Sequence, residues 1–224
     1  MARFTRGQRW AHSVTGVLML ACLASAAALY IDPLSVAVGQ RAQVRAVHLW
    51  SGYLLPLPVI IALLLSPAMR RDARTVDGFT PADREWLRAR DRRSGRIRVG
   101  KFNAGQKLNA AVTSGAVLVM ILTGSVMLDL LGIWPLGART GATFVHDWVA
   151  LGMFLLLAGH LWFALRDSEA MRGITAGTVS QDWARREHEA WHDAELAPSA
   201  GVARSAGVAQ PGGDAIDGEP QGPT

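Results

Sequence analysis

One cysteine, Cys22, is all the thiol chemistry this 224-residue chain holds, which excludes an intrachain disulfide and any metal cluster built on its own cysteines. Its default role is that of a small packed residue in an apolar stretch. Repeats of solenoid period are absent as well. The most informative absence is local. Four apolar blocks, approximately residues 10–30, 44–68, 108–134 and 143–165, have no Lys, Arg or Glu in their middles. Each reaches the roughly 20 residues needed to cross the hydrocarbon core of a bilayer. Backbone groups in lipid must pair within their own segment, so blocks of this length are expected to be helices.

Half the residues are apolar, and 23 Lys+Arg stand against 18 Asp+Glu for a net charge of +5. A soluble domain could share those averages; the segregation of charge into the connections could not easily belong to one. Residues 69–107 carry ten arginines and two lysines, and Arg3, Arg6 and Arg9 precede the first block. The other two connections, around residues 32–44 and 137–142, carry only Arg41 and Arg139, with Arg45 at a helix mouth. Because Lys and Arg collect on the cytoplasmic side, both termini and the long middle loop are expected there. The fold expected is all-α: an integral membrane up-and-down bundle of four transmembrane helices in the cell (inner) membrane, over residues 1–192. A disordered cytoplasmic tail is expected over residues 193–224, rich in Ala, Gly and Pro. Ala24-Ser25-Ala26 resembles a signal-peptidase site, but the apolar stretch is longer than a signal core and cleavage would discard His12. An uncleaved first helix is therefore expected. In the middle loop, Thr80 and Pro81 read as cap and first position of a short helix, whose Trp86 and Leu87 would lie along the membrane surface.

An ionisable side chain inside a membrane helix is a functional candidate by default. Four histidines qualify: His12, His48, His146 and His160. Taken singly, each could be packing glue between helices. Taken together they fall at two depths. His12 and His160 lie near the cytoplasmic ends of helices one and four; His48 and His146 lie near the outer ends of helices two and four. His146 and His160 are fourteen residues apart, so their rings return to within about 40° of one direction and stand about 21 Å apart along the helix. Zinc sites need three or four converging ligands, whereas these come in twos. Two imidazoles on opposite sides of an iron porphyrin suit such pairs and favour electron transfer over oxygen chemistry. Two b-type haems are the expectation. Gly16 and Gly52 follow His12 and His48 by one turn, where a flat macrocycle or simply a neighbouring helix could come close. Arg9, Arg45 and Arg139 read first as interfacial charge and second as partners for haem propionates.

The stretch KFNAGQK, residues 101–107, opens the third helix. Asn103 and Gln106 have the spacing of a capping box. They also suit a quinone carbonyl at the end of an apolar channel.

These features together resemble the cytochrome b (gamma) subunit of membrane-bound formate dehydrogenase. The resemblance is carried by Arg9-Trp10-Ala11-His12, KFNAGQK, Thr123-Gly124, the His146/His160 spacing, residues 171–179 (MRGITAGTV) and Trp183-Ala184. It runs from about Arg3 to Trp191. It implies that His48 and His146 bind the outer haem, that His12 and His160 bind the inner one, and that a quinone, menaquinone in the first instance, sits beside the inner haem against Asn103. It also implies an iron–sulfur subunit on the outer side, fed by a molybdenum or tungsten subunit; this chain has no site for that cofactor and would be a non-catalytic subunit, with no nucleic-acid partner. That family often has adjacent histidines after the Trp-Ala pair, where this chain has Glu187-His188 and then His192. These two are expected to be solvent or partner-surface residues. Two other readings remain open: a standalone di-haem quinone oxidoreductase with a small donor such as superoxide, and a haem-free membrane anchor.

Overall fold

Thr5 starts the first helix. Its hydroxyl accepts from Gln8 N, while Gln8 Oε1 accepts from Thr5 N, and this reciprocal cap satisfies N–H groups that no helical carbonyl can reach. From there the computed structural model, which describes residues 1–92 and 96–206 with side chains as far as residue 197, runs through eleven helices. Helix α1 (Arg6–Tyr30) leads through short α2 (Asp32–Val38) to α3 (Arg41–Leu54) and α4 (Leu57–Leu65). Then come α5 (Pro67–Asp77), α6 (Pro81–Arg88), α7 (Ala104–Leu128), α8 (Leu136–Arg166), α9 (Ser168–Ala176), α10 (Gln181–Glu187) and α11 (Glu189–Ala206). Four spans, Arg6–Tyr30, Arg41–Leu65, Ala104–Leu128 and Leu136–Arg166, are long and apolar enough to cross a membrane. Large apolar side chains stay exposed along them, Val17 at 65 %, Leu118 at 62 % and Leu155 at 62 %, which is the surface lipid requires.

Three boundaries differ from the sequence reading. The second block is two helices, because Pro56 has no N–H to donate and its ring crowds the carbonyl one turn back. Leu55 N takes a tighter bond to Gly52 O instead, at 3.3 Å. The third block stops at Leu128, where Asp129 turns left-handed (φ 45°), so residues 129–134 are loop. The fourth helix starts at Leu136, seven residues early, which makes helix of the stretch read as an outer connection.

The spans form two hairpins. Helix α1 packs on α3 and α4, and α7 packs on α8, while close approach between the hairpins falls mainly on α3 and α7. The hairpins meet at mid-depth in an apolar layer of Met19, Leu55 and Met153, with Val117 and Met120 against it. Each of the first three stands seven residues after a histidine (His12, His48, His146), and Met153 is also seven before His160. The core is therefore a plug midway between two histidine levels.

At the end of the bundle that carries the N-terminus lies a second core of Val179, Trp183, Ala184 and Trp191. His188 belongs to it, at 2 % exposure. This corrects the expectation of a solvent or partner-surface histidine: its ring lies 4.9 Å from Trp183 and 6.4 Å from Trp191. Of the tail expected to be disordered, only the first part lies within the described residues. Helix α11 occupies residues 189–206, anchored by buried Trp191; the rest of the tail lies outside the described residues. Burial, reinforced by the charge of Arg3, pulls the His188 imidazole down to about 3. Burial also lowers the Arg3 guanidinium to about 10, which leaves it charged at neutral pH.

The sign for His188 follows. An opened cap takes up a proton below pH 6.5 that the closed cap refuses until about pH 3, so acid favours opening. The closed cap should weaken by about 1.4 kcal/mol per pH unit across that window. Hydrogen exchange of residues 183–191, corrected for intrinsic rates, should show less protection at pH 5 than at pH 7.5. Equal protection at the two values would contradict a neutral buried imidazole.

Candidate cofactor site

Helix α8 carries His146 and His160 on one side, and the other two helices bring one imidazole to each. The rings of His12 and His160 stand 6.2 Å apart between centroids, tilted by 47°. Those of His48 and His146 stand 6.3 Å apart at 67°. The four histidines singled out in the sequence are thus assembled two by two. Among the described residues no group of three His, Cys, Asp or Glu converges as a compact metal site would need.

The spacing tests whether haem fits. A first-row metal to imidazole nitrogen bond is about 2 Å and the ring centre lies roughly 1 Å further on, so trans imidazoles on one iron place their centroids about 6 Å apart. Both pairs meet that spacing. Around His48 and His146 there is an open-sided apolar cavity, lined also by Met19, Cys22, Tyr53 and Gly124. Gly124 packs under the ring: a Cβ on it would lie 3.4 Å from His146 Cε1, in van der Waals contact. A Cβ on Gly16, one turn from His12, would meet nothing, so that face of α1 is open. Thr15 Oγ1 at the same level is a buried hydroxyl with no partner among the described residues.

The His48–His146 pair has its tautomers set by neighbours that the sequence reading gave no such role. Thr123 Oγ1 donates to Val119 O at 2.7 Å, so at 2.9 Å from His146 Nδ1 it can only accept that nitrogen's proton. Ser25 Oγ likewise spends its hydrogen on Ala21 O, and His48 Nδ1 lies 3.1 Å from Cys22 O and 3.3 Å from Ser25 Oγ. Both rings thereby carry their proton on Nδ1 and leave Nε2 as the available ligand atom. The His12–His160 pair has no hydrogen bond of this kind among the described residues. No spacing in the sequence points to Thr123 or Ser25, since each serves a histidine on another helix. Two of the three arginines read as interfacial find protein partners: Arg9 donates to Thr175 O, and Arg139 pairs with Asp129 at 3.7 Å.

Asn103 and Gln106 form the capping box expected of them. Gln106 N donates to Asn103 Oδ1 at 2.9 Å, and Asn103 N donates to Gln106 Oε1 at 3.0 Å. Capping consumes the two side-chain acceptors and leaves the two amide NH2 groups as donors, the polarity a quinone carbonyl needs. Trp86 of α6 packs on Gly105, where a Cβ would lie 3.1 Å from its ring, so the short helix covers the start of α7 as well as presenting Leu87 outward.

A model of the prokaryotic cytochrome b561 family matches residues 3–177. Among curated proteins, the cytochrome b556(Fdn) subunit of the nitrate-inducible formate dehydrogenase of Escherichia coli (strain K12) is 24 % identical over 96 residues, 42 % of this chain and 44 % of that protein. The cytochrome b556 subunit of the formate dehydrogenase of Haemophilus influenzae is 26 % identical over 99 residues, 43 % of this chain and 42 % of that protein. The chain spans under half the length of these curated relatives.

Proposed function

The chain belongs to the prokaryotic cytochrome b561 family and is a multi-pass membrane electron-transfer cytochrome; from that premise we propose that it is the haem-bearing membrane subunit of a formate dehydrogenase-type complex. It would hold two b-type haems, one between His48 and His146 and one between His12 and His160, and would deliver electrons to a quinone, menaquinone in the first instance. The observation that carries this is the pair of ring separations, 6.2 and 6.3 Å, both of the span two trans imidazoles need. An iron–sulfur subunit would dock on the outer face, fed by a molybdenum or tungsten subunit, as the sequence resemblance implies.

Haem held by two histidines supplies one-electron chemistry at an iron with no open coordination position. The protein does the rest. Thr123 and Ser25 orient the outer imidazoles, and the plug of Met19, Leu55 and Met153 keeps water from the space between the two levels. At the arginine-rich end, taken as cytoplasmic, the Asn103 and Gln106 amides would donate to a quinone carbonyl. With haem bound, electrons would enter at the His48–His146 level and leave at the His12–His160 level, and quinone reduction would draw its protons from the inner side. Moving negative charge inward builds potential, at about 2.3 kcal/mol per charge per 100 mV.

The purified chain should show two haems per polypeptide by pyridine haemochrome and a b-type reduced-minus-oxidised band, and a tagged chain should retain an iron–sulfur protein. A colourless preparation would eliminate the proposal. Within it, Thr123→Val should keep both haems in place but raise the midpoint potential of the outer one alone, because the His146 imidazole loses the hydrogen bond that makes it a stronger donor. A potentiometric titration with both potentials unmoved would remove Thr123 from the site.

A further inference from the structure

Residues 99–102 belong to no helix, yet the first three of their carbonyls are taken one after another by segments far away in the chain. Ala190 N donates to Val99 O at 3.1 Å. His188 Nδ1 donates to Gly100 O at 2.7 Å, and Arg3 Nη2 donates to Lys101 O at 2.8 Å. With its proton on Nδ1, His188 can accept at Nε2, and Arg3 Nη2 supplies its second N–H there at 3.2 Å. The Arg3 guanidinium lies over Trp183 at 4.7 Å and Trp191 at 5.2 Å. Phe4 stacks on Phe102 at 6.2 Å. Arg3 N and Phe4 N both donate to Gly177 O, and Gly177 can hold its left-handed turn only without a side chain, since a Cβ would lie 2.7 Å from Phe4 O. On the other flank Lys101 Nζ grips both oxygens of Asp72, and Gln8 Nε2 donates to the same carboxylate at 2.6 Å. The N-terminal segment, the tail through Trp191 and the entry to α7 are therefore one body. The chain leaves this body at Asn103 and, through Thr5 and Gln8, at the start of α1, four residues before His12.

We propose that Arg3 and His188 are positioning residues for quinone reduction: they hold residues 99–102 so that the Asn103 and Gln106 amides stand at a fixed place relative to the His12–His160 pair. The inference rests on the quinone reading of those two amides and deepens it. A loop without regular structure would otherwise have to be ordered each time a quinone binds; here three long-range bonds order it beforehand. The tail beyond α9 thus acts at the site without touching it.

The test uses the full chain in detergent and follows haem reduction by a short-chain menaquinol analogue. His188→Ala should raise the half-saturating quinol concentration roughly three- to tenfold, the worth of one lost hydrogen bond, with haem content and the rate at saturation unchanged. His188→Asn, which puts an amide donor near the place of Nδ1, should recover most of the loss. A role in folding alone would instead lower haem content and saturating rate together, with half-saturation unmoved, and that result overturns the proposal, as does wild-type half-saturation in His188→Ala. If alanine prevents assembly, Arg3→Lys keeps the charge over the tryptophans but removes the forked contact; an unchanged half-saturation there also overturns it. A wild-type chain that holds two haems but accepts no electrons from quinol would instead sink the quinone reading itself.

Discussion

Replacing His160 by alanine should halve the haem bound per chain, and replacing His146 should halve it as well, with a different haem lost each time. Both residues sit on α8, so each variant controls for the other: the helix is kept and only one level is emptied. The partner residues sharpen the expectation. His12→Ala should copy His160→Ala, because their rings are 6.2 Å apart, and His48→Ala should copy His146→Ala across 6.3 Å. The double variant His146→Ala/His160→Ala should be colourless. Pyridine haemochrome counts the loss, and the two potentials of a redox titration say which level has gone. Histidines acting as packing glue would give small stability losses and no pattern of pairs. Full pigment in either single variant would end the proposal of haem between these rings.

The second large effect lies where the third span begins, against α6. Lys107 Nζ meets Asp83 Oδ2 at 2.7 Å with side chains 5 % and 9 % exposed, and also donates to Gly78 O at 2.8 Å. Removing one member of a buried pair strands the other charge, so Lys107→Met should destabilise this face by about 3–5 kcal/mol. Asp83→Ala should cost at least as much, because the same carboxylate accepts from Thr80 N and Oγ1 and so caps α6. Burial by itself would push the Asp83 carboxyl up; the hydrogen bonds from Lys107 and Thr80 and the Lys107 charge outweigh it and hold it below 3.8. A carboxylate held low contributes stability above its ordinary value and loses it as pH falls through the lowered one. The deficit should therefore be level around neutral pH and shrink only in strong acid. Asp83→Asn/Lys107→Met, with neither charge left, should recover much of the loss. Thermal unfolding in detergent and hydrogen exchange of residues 81–88 give the readouts, and a Lys107→Met change below about 1 kcal/mol would mean the pair is not truly buried.

Boundaries show where sequence reading falls short. Proline at position 56 announces a break, but a long apolar run read by hydropathy alone carries straight across it. Asp129 ends α7 because the chain turns left-handed there, a choice made by loop packing that apolar content does not encode. The burial of His188 is hidden from the sequence for a related reason. A polar residue in a charged stretch, with Glu187 before it, resembles surface until Arg3, 185 positions earlier, is seen beside it.

The sequence by itself determined the four spans, since a bilayer demands about 20 apolar residues per crossing and helical pairing of every backbone group. It also determined which histidines share a depth, because α-helical rise converts residue number into height along each span. Only the tertiary structure decided how the rings stand to one another, which neighbours accept the Nδ1 protons of His48 and His146, and how the N-terminal segment and the stretch through Trp191 close over the entry to α7. Those contacts join different helices, and the side chains that make them, Thr123 to His146 and Arg3 to His188, have no periodic relation in the chain for a pattern to reveal.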